Sequence, residues 1–158
     1  MSLIIRSAEK GDARKMADIL NRIIEIGGTT GYRGTFDEQR ILNEFTPDLG
    51  ISCFVAIDGT QLVGFQSLVW SDPDWPGEAK LPEDWSIIAT YVDPTTHSRG
   101  VGRALFAKTA QAARDAGARH IDATIRKENA GGQAYYESLG FTDYRTSATA
   151  VSKRYTPV

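Results

Sequence analysis

The segment from Tyr91 to Leu105 joins an apolar run to a glycine-containing turn and then to a helical pattern. The apolar run stops at Pro94, and Gly100 and Gly102 come directly before the helical spacing. Backbone N–H groups at a helix N-terminus are free to bind an anion, and glycines let that anion approach the main chain closely. We therefore predict a strand, a turn and a helix here, with a phosphate-containing ligand at the turn.

Two common phosphate-binding patterns do not fit this segment. The dinucleotide pattern G-x-G-x-x-G would need a small residue where Leu105 stands, and the Gly-Lys-Ser/Thr ending of a P-loop is missing. The run His97-Ser-Arg-Gly-Val-Gly102 instead resembles the acyl-CoA-binding motif Gln/Arg-x-x-Gly-x-Gly/Ala of the GNAT superfamily of N-acyltransferases. His97 stands where that family usually has Gln or Arg.

A second segment carries the same resemblance. The family closes with an Asn, a Tyr seven residues later and then Gly-Phe, and this chain has Asn129, Tyr136 and Gly140-Phe141 at that spacing. The hairpin pattern from Val55 to Gly64, with Asp58-Gly59 as its turn, is similar to the family's early strands. The resemblance therefore covers nearly the whole chain in the family's order.

Composition limits the class of protein. The chain has 158 residues, which suits one domain, residues 1–158, with a single core. A net charge of −2 without a basic stripe argues against nucleic-acid binding. The apolar runs are too short to span a membrane, so we expect no membrane contact. Cys53 is the one cysteine and forms no internal disulfide, which favours a cytoplasmic location.

Helical and strand patterns alternate along the chain. A first strand at Leu3–Arg6 precedes a helix that Asp12 is expected to cap, and a capping box beginning at Thr35 opens a second helix. Further strands are predicted at 52–57, 61–70, 85–92 and 120–126, further helices at 102–116 and 130–138, and a pair of strands within 141–155. This order predicts an α/β (α+β) fold with a mixed, mostly antiparallel sheet flanked by helices.

The resemblance implies acetyl-CoA as co-substrate and places it on the chain. In the family, the strand that ends at a residue like Val92 splays from its neighbour, and pantetheine lies in the gap. Backbone and side chains after this strand then hold the pyrophosphate, and the Asn of the closing segment contributes. The implied cofactor-binding residues are Val92, Arg99, Gly100, Val101, Gly102, Arg103, Ala104 and Asn129. Asn129 has a second interpretation, as the N-cap of the helix that follows.

Tyr136 is the predicted general acid. A phenol with a pKa near ~10 is protonated at neutral pH and is able to give its proton to a departing thiolate. The alternative is a core aromatic, because Tyr135 and Tyr136 both lie in a predicted helix; the spacing from Asn129 favours Tyr136. For the base, Glu83 and Asp84 precede the strand at 85–92 and are the first candidates, with Asp122 as another; a solvated surface carboxylate is the alternative for each. His97 and His120 lack partners at ligand spacing, so no metal is expected.

Acceptor specificity in the family comes from the first two helices and the loop between them. Thr30 and Tyr32 in this loop, together with Trp70, are the predicted acceptor-binding residues, and Trp75 and two nearby aspartates are further candidates. Aromatic walls with a carboxylate suit a small amine or an amino-acid-like acceptor. The resemblance thus implies an N-acetyltransferase for a small primary amine, acting as a homodimer. A non-catalytic acyl-CoA sensor and a protein or peptide N-acetyltransferase are the alternatives.

Overall fold

The computed structural model describes residues 3–32, 34–77, 79–96 and 100–158. Helices and strands follow one another through these ranges in the predicted order. The strands are β1 (Leu3–Ser7), β2 (Ser52–Asp58), β3 (Gln61–Trp70), β4 (Trp85–Val92), β5 (His120–Arg126), β6 (Thr142–Thr146) and β7 (Ala150–Tyr155). The helices are α1 (Ala13–Ile26), α2 (Glu38–Glu44), α3 (Val101–Ala116) and α4 (Ala130–Ser138).

The strands form one sheet in the order β1-β2-β3-β4-β5-β7-β6. Neighbouring strands are antiparallel except for β4 and β5, which are parallel and joined by the α3 crossover. The parallel pair is short: Trp85–Ile87 of β4 pairs with His120–Asp122 of β5, and the pairing ends there. The predicted mixed, mostly antiparallel sheet with a splayed pair at β4 is confirmed.

Helices cover both faces of the sheet. On one face, α1 and α2 pack on β2 and β3, with Leu20, Ile41 and Phe65 fully buried between them. On the other face, α3 and α4 pack on β3, β4 and β5, where Phe106 and Phe141 lie in the same core. Alternate residues of each strand point to opposite faces, so a single strand serves both cores.

Two helix caps differ from the sequence prediction. Thr35 does not open a capping box; α2 begins at Glu38, and the Asp37 carboxylate accepts a hydrogen bond from the Arg40 N–H at 2.8 Å. Asp is among the strongest N-cap residues, so it takes over the role two residues later. Asp12 precedes α1 but makes no side-chain cap bond to it.

Asp12 instead stabilises the end of β1 by pairing with Arg6. Its carboxylate forms two hydrogen bonds with the Arg6 guanidinium, at 2.8 and 2.9 Å, and accepts the Glu9 N–H at 2.8 Å. The hydrogen bond from Arg6 lowers the pKa of Asp12. The Asp12 carboxylate therefore does not cap α1, because it is hydrogen-bonded to Arg6 and Glu9 in the segment before the helix.

Candidate active site

The splay between β4 and β5 opens a cleft of about 1080 Å³. Past Ile87 and Asp122 the two strands no longer pair, so the backbone edges of residues 88–92 and 123–126 face each other across a gap. Segments on both faces of the sheet line the cleft. The α1–α2 loop lies on one face, and α4 and the start of α3 lie on the other. An extended ligand is able to enter between the strands, where backbone N–H and C=O groups that are not paired between β4 and β5 are free to form hydrogen bonds with it.

The N-terminus of α3 forms one end of the cleft. Gly100 precedes the helix with φ of 80°, a left-handed conformation that favours glycine, and both Gly100 and Gly102 line the cleft. The first intrahelical bond is donated by the Ala104 N–H to the Gly100 carbonyl, at 2.9 Å. The amides before Ala104 have no acceptor within the helix, the first turn holds no acidic residue, and Arg103 lines the cleft. This geometry suits an anion.

The predicted cofactor-binding residues divide into three groups. Val92, Gly100, Gly102, Arg103 and Asn129 all line the cleft. Val101 and Ala104 do not: the Val101 side chain is fully buried in the core, and the Ala104 N–H is already bonded to Gly100. Only the Val101 backbone remains available. Arg99 and His97 lie outside the described residues.

Asn129 caps α4. Its side-chain oxygen accepts a hydrogen bond from the Gly132 N–H at 2.8 Å, which is the N-cap arrangement considered from the sequence. A Cβ at Gly132 would lie 2.5 Å from the Asn129 side-chain nitrogen, so the capping side chain itself excludes a larger residue there. Asn129 also lines the cleft, so the cap and a ligand contact are compatible.

Tyr136 lies on α4 at the base of the splay. It is buried, lines the cleft, and its hydroxyl is 2.8 Å from the Thr90 Oγ1 on β4. Burial raises the pKa of the phenol above its ordinary value, so Tyr136 is protonated throughout the neutral range. The neighbouring Tyr135 does not offer its proton to the cleft, because its hydroxyl donates to the Gly102 carbonyl at 2.7 Å.

On the opposite side, the α1–α2 loop lines the cleft with Thr30 and Tyr32, as predicted. Tyr32 packs edge-on against Phe36, with ring centroids 5.0 Å apart. Trp70 is not at the cleft. It lies at the end of β3 beside the start of β4, whereas Trp75 from the following loop lines the cleft. The prediction for Trp70 is not supported by its position, because β3 carries it to the far end of β4.

The predicted bases Glu83 and Asp84 also lie at that far end. They are exposed in the turn before β4, eight or more residues from Val92, and neither lines the cleft. A strand rises about 3.3 Å per residue, so Asp84 is separated from Val92 by roughly 25 Å. Position therefore argues against a direct catalytic contact for either carboxylate.

Asp122 has a different position. It is the last β5 residue paired to β4 and is only 3% exposed. Its carboxylate accepts hydrogen bonds from the Tyr144 hydroxyl at 2.5 Å and from the Thr124 hydroxyl at 3.0 Å. Burial raises the pKa of Asp122 above its ordinary value, against the lowering effect of these two hydrogen bonds. Thr124 lines the cleft, so a hydroxyl connects the buried carboxylate to it.

The sequence does not single out Thr90 and Thr124, which line the cleft, or Gln66 and Tyr144, which hydrogen-bond to Thr90 and to Asp122. Thr90, Thr124 and Gln66 are ordinary strand residues in the one-dimensional pattern, and Tyr144 belongs to a distant hairpin. Strand alternation would have placed Thr90 and Thr124 on known faces, but only the sheet order brings them to the splay. In the described part of the chain, no cluster of His, Cys, Asp and Glu is arranged to hold a metal ion, and no helix has the length and apolarity of a membrane span.

Comparison with known proteins decides the family. The model of the acetyltransferase (GNAT) family matches residues 16–141. The chain belongs to the GNAT family. The family predicted from the sequence, and with it the acyltransferase class of enzyme, is confirmed.

Individual relatives are more distant. A stretch of 81 residues, 51% of the chain, is 33% identical to an uncharacterised N-acetyltransferase of Methanocaldococcus jannaschii and spans 34%, about a third, of that protein's length. yncA of Salmonella typhimurium, solved with its cofactor acetyl-CoA, superposes with a TM-score of 0.82 at 21% identity, covering 100% of this chain and 95% of that one. A phosphinothricin acetyltransferase of Sinorhizobium meliloti, solved in complex with acetyl-CoA, gives 0.83 at 18% identity, covering 99% and 89%. Both structures share the fold of this chain.

Proposed function

We propose that this protein transfers an acetyl group from acetyl-CoA to the primary amine of a small or amino-acid-like molecule. The observation that carries the proposal is the cleft itself, which joins the open amides of the α3 N-terminus to a buried phenol through the gap between β4 and β5. The amides of Val101, Gly102 and Arg103, with the Arg103 guanidinium, suit a pyrophosphate. The free edge of β4 up to Val92 suits the amide groups of pantetheine. When bound, acetyl-CoA supplies an activated acyl group.

Tyr136 is proposed to protonate the departing sulfur. Its phenol is protonated at neutral pH because burial raises its pKa, and it lies on the α4 side of the gap. The acceptor is proposed to bind on the opposite side, where the α1–α2 loop, Tyr91 and Trp75 line the cleft. Acid and acceptor are then on opposite faces of the sheet, so the amine attacks from one side while the sulfur leaves towards the other.

Asp122 is proposed to take up the proton of the amine through Thr124. The Thr124 hydroxyl donates to Asp122, so its lone pairs face Ser152, at 2.9 Å, and the cleft. An ammonium in the cleft would give a proton to Thr124 as Thr124 passes its own proton to the carboxylate. A carboxylate with a raised pKa is a better match for this task than an exposed one.

The small acceptor is supported by the form of the acceptor side. Tyr32, Trp75 and Tyr91 line this side with aromatic rings and Thr29 and Thr30 line it with hydroxyl groups, a combination that suits a compact amine. A homodimer and a cytoplasmic location stay predictions from the sequence.

Titration calorimetry with acetyl-CoA, CoA, NAD and ATP tests the cofactor. Micromolar binding of acetyl-CoA, with NAD and ATP silent, is expected. Thiol release is then followed over a panel of free amino acids, small polyamines and a peptide with a free N-terminus. Turnover with a free amine supports the proposal, and turnover with the peptide alone identifies a peptide N-acetyltransferase. Binding of acetyl-CoA without turnover on any amine identifies a sensor.

A further inference from the structure

Gln66 is a fully buried amide beside the cleft. It lies on β3 between Gly64 and Leu68, on the face that packs against α3, where its neighbours in the strand contact apolar side chains. Burying an amide is costly unless its polar atoms find partners. The Gln66 Nε2 donates to the Thr90 Oγ1 at 2.9 Å and to the Tyr135 Oη at 3.1 Å. Its Oε1 has no partner in the described part of the chain.

The direction of each hydrogen bond follows from the Gly102 carbonyl. A carbonyl oxygen only accepts, so the Tyr135 hydroxyl, 2.7 Å away, must donate its single proton to Gly102. Tyr135 then has only lone pairs to offer Gln66, and Gln66 must present its NH₂ group. The same NH₂ group faces Thr90, so Thr90 accepts as well.

The reversed amide is the less favourable orientation. It would place the Gln66 carbonyl oxygen against the lone pairs of Tyr135, and it would bury the NH₂ group where the structure offers no partner. The observed orientation leaves one acceptor unpaired, whereas the reversed one leaves two donors unpaired and adds a repulsive contact. The hydrogen bond from the Tyr135 hydroxyl to the Gly102 carbonyl thus fixes the orientation of Gln66.

We propose that Gln66 and Thr90 are positioning residues that turn the Tyr136 phenol so that its proton faces the cleft. This inference rests on the proposed role of Tyr136 as the acid. Thr90 accepts from Gln66 and has one proton to give, and its other hydrogen-bond partner in the described structure is the Tyr136 Oη at 2.8 Å. With Thr90 donating to that oxygen, Tyr136 keeps its own proton for the leaving sulfur.

The same series of hydrogen bonds stabilises the phenolate that the proton transfer produces. As the Tyr136 O–H bond breaks and the S–H bond forms, negative charge appears on the phenolate oxygen. That oxygen already accepts a hydrogen bond from Thr90, and Gln66 strengthens this bond by donating to Thr90. From ammonium to amide the nitrogen gives up two protons. One passes through Thr124 to Asp122 and then to solvent, and the other returns to the phenolate through solvent, so the protons balance over one turnover. We call this series of hydrogen bonds the relay: it begins at the Gly102 carbonyl, inside the first turn of α3, and runs through Tyr135, Gln66 and Thr90 to Tyr136.

The pKa of the phenol at position 136 tests the direction of the Thr90 bond. A polyfluorinated tyrosine incorporated there titrates in an accessible range and is observed by fluorine NMR, in the protein without acetyl-CoA. A donor to the phenol oxygen stabilises the phenolate, whereas an acceptor stabilises the neutral phenol. Thr90→Val should therefore raise this pKa by roughly one pH unit. Thr90→Ser, which keeps the hydroxyl, should leave it unchanged. A lower pKa in Thr90→Val would show that Tyr136 donates to Thr90 and would overturn the proposal.

Gln66→Met is the second variant, since it keeps the size of the side chain and removes the donor. It should raise the same pKa by a smaller amount, and an unchanged value would remove Gln66 from the relay. In turnover, Thr90→Val should lower kcat about tenfold with the KM for acetyl-CoA unchanged, and Thr90→Ser should restore kcat. The titration needs no turnover, so it also separates the two proposals. A shift of the expected sign without acetyl transfer by the wild-type protein would leave the relay standing and remove the enzymatic function.

Discussion

The two sides of the splayed strands are built in different ways. On the α3/α4 side, two short segments form the site: the turn into α3 and the helix α4. Their side chains fit each other tightly, because a Cβ at Gly102 would lie 2.5 Å from the Tyr135 ring. On the α1/α2 side, the cleft is assembled from α1, the α1–α2 loop, the β3–β4 loop, β4 and β5, and Trp75 there is 52% exposed.

We propose that this difference corresponds to different roles for the two sides, cofactor binding on the α3/α4 side and acceptor binding on the α1/α2 side. A cofactor whose structure does not vary is suited to a rigid turn, whose glycines leave room for one shape of ligand. Loops change without disturbing the core, so they suit the binding of an acceptor. Changes on the α3/α4 side should therefore affect cofactor binding and chemistry, and changes on the α1/α2 side should affect the acceptor.

Tyr136→Phe tests the chemistry and should have the largest effect. Removing a general acid costs on the order of 10²–10⁴ in rate, so kcat should fall at least about a hundredfold. The KM for acetyl-CoA should stay within twofold, because the ring remains in the core. Steady-state kinetics under conditions where chemistry limits the rate measures both. Tyr155→Phe, on β7 in the same core, serves as the control; an unaltered kcat in Tyr136→Phe would remove the acid from the mechanism.

Gly102→Ala tests the fit between α3 and α4. The new Cβ has no room beside Tyr135, whose ring is also held by its hydrogen bond to the Gly102 carbonyl, so the first turn of α3 must shift. We expect the Kd for acetyl-CoA to rise by about tenfold or more, measured by calorimetry. Gly131→Ala is the matched control, because its Cβ would have only Asn129, at 3.9 Å, nearby. Equal affinities in the two variants would contradict the proposed site.

Asp122→Asn tests the proton acceptor, with a smaller expected effect of about tenfold on kcat/KM. A base acts when ionised, so activity of the wild type should fall as the pH drops through the pKa of Asp122, which burial raises above the ordinary carboxyl range. The variant should lose this acidic limb of the pH profile. Asp84→Asn, at the far end of β4, should leave the profile unchanged. An identical acidic limb in Asp122→Asn would assign it to another group.

The same contrast explains how much the sequence could predict. The order of helices and strands along the chain and the turn at Gly100 follow from local patterns, and both are found in the structure. The sequence favours Glu83 and Asp84 because they precede β4, but a strand has two ends, and the splay opens at the other one. Asp122 and Thr124 face the cleft only because β5 pairs with β4 for three residues and then diverges. Nothing within either strand's own sequence encodes that point of separation.

Trp75→Ala tests the α1/α2 side and should have the smallest effect. Trp75 lines the cleft while remaining half-exposed, so it contributes contact area to an acceptor without supporting the core. Losing one partly exposed aromatic wall is worth about 1 kcal/mol, so the acceptor KM should rise roughly fivefold with kcat and the Kd for acetyl-CoA unchanged. Trp70→Ala removes a tryptophan of similar exposure outside the cleft and should change neither constant. A Trp75 variant that weakened acetyl-CoA binding instead would mean that the loop lies over the cofactor, and the division between the two sides would fail.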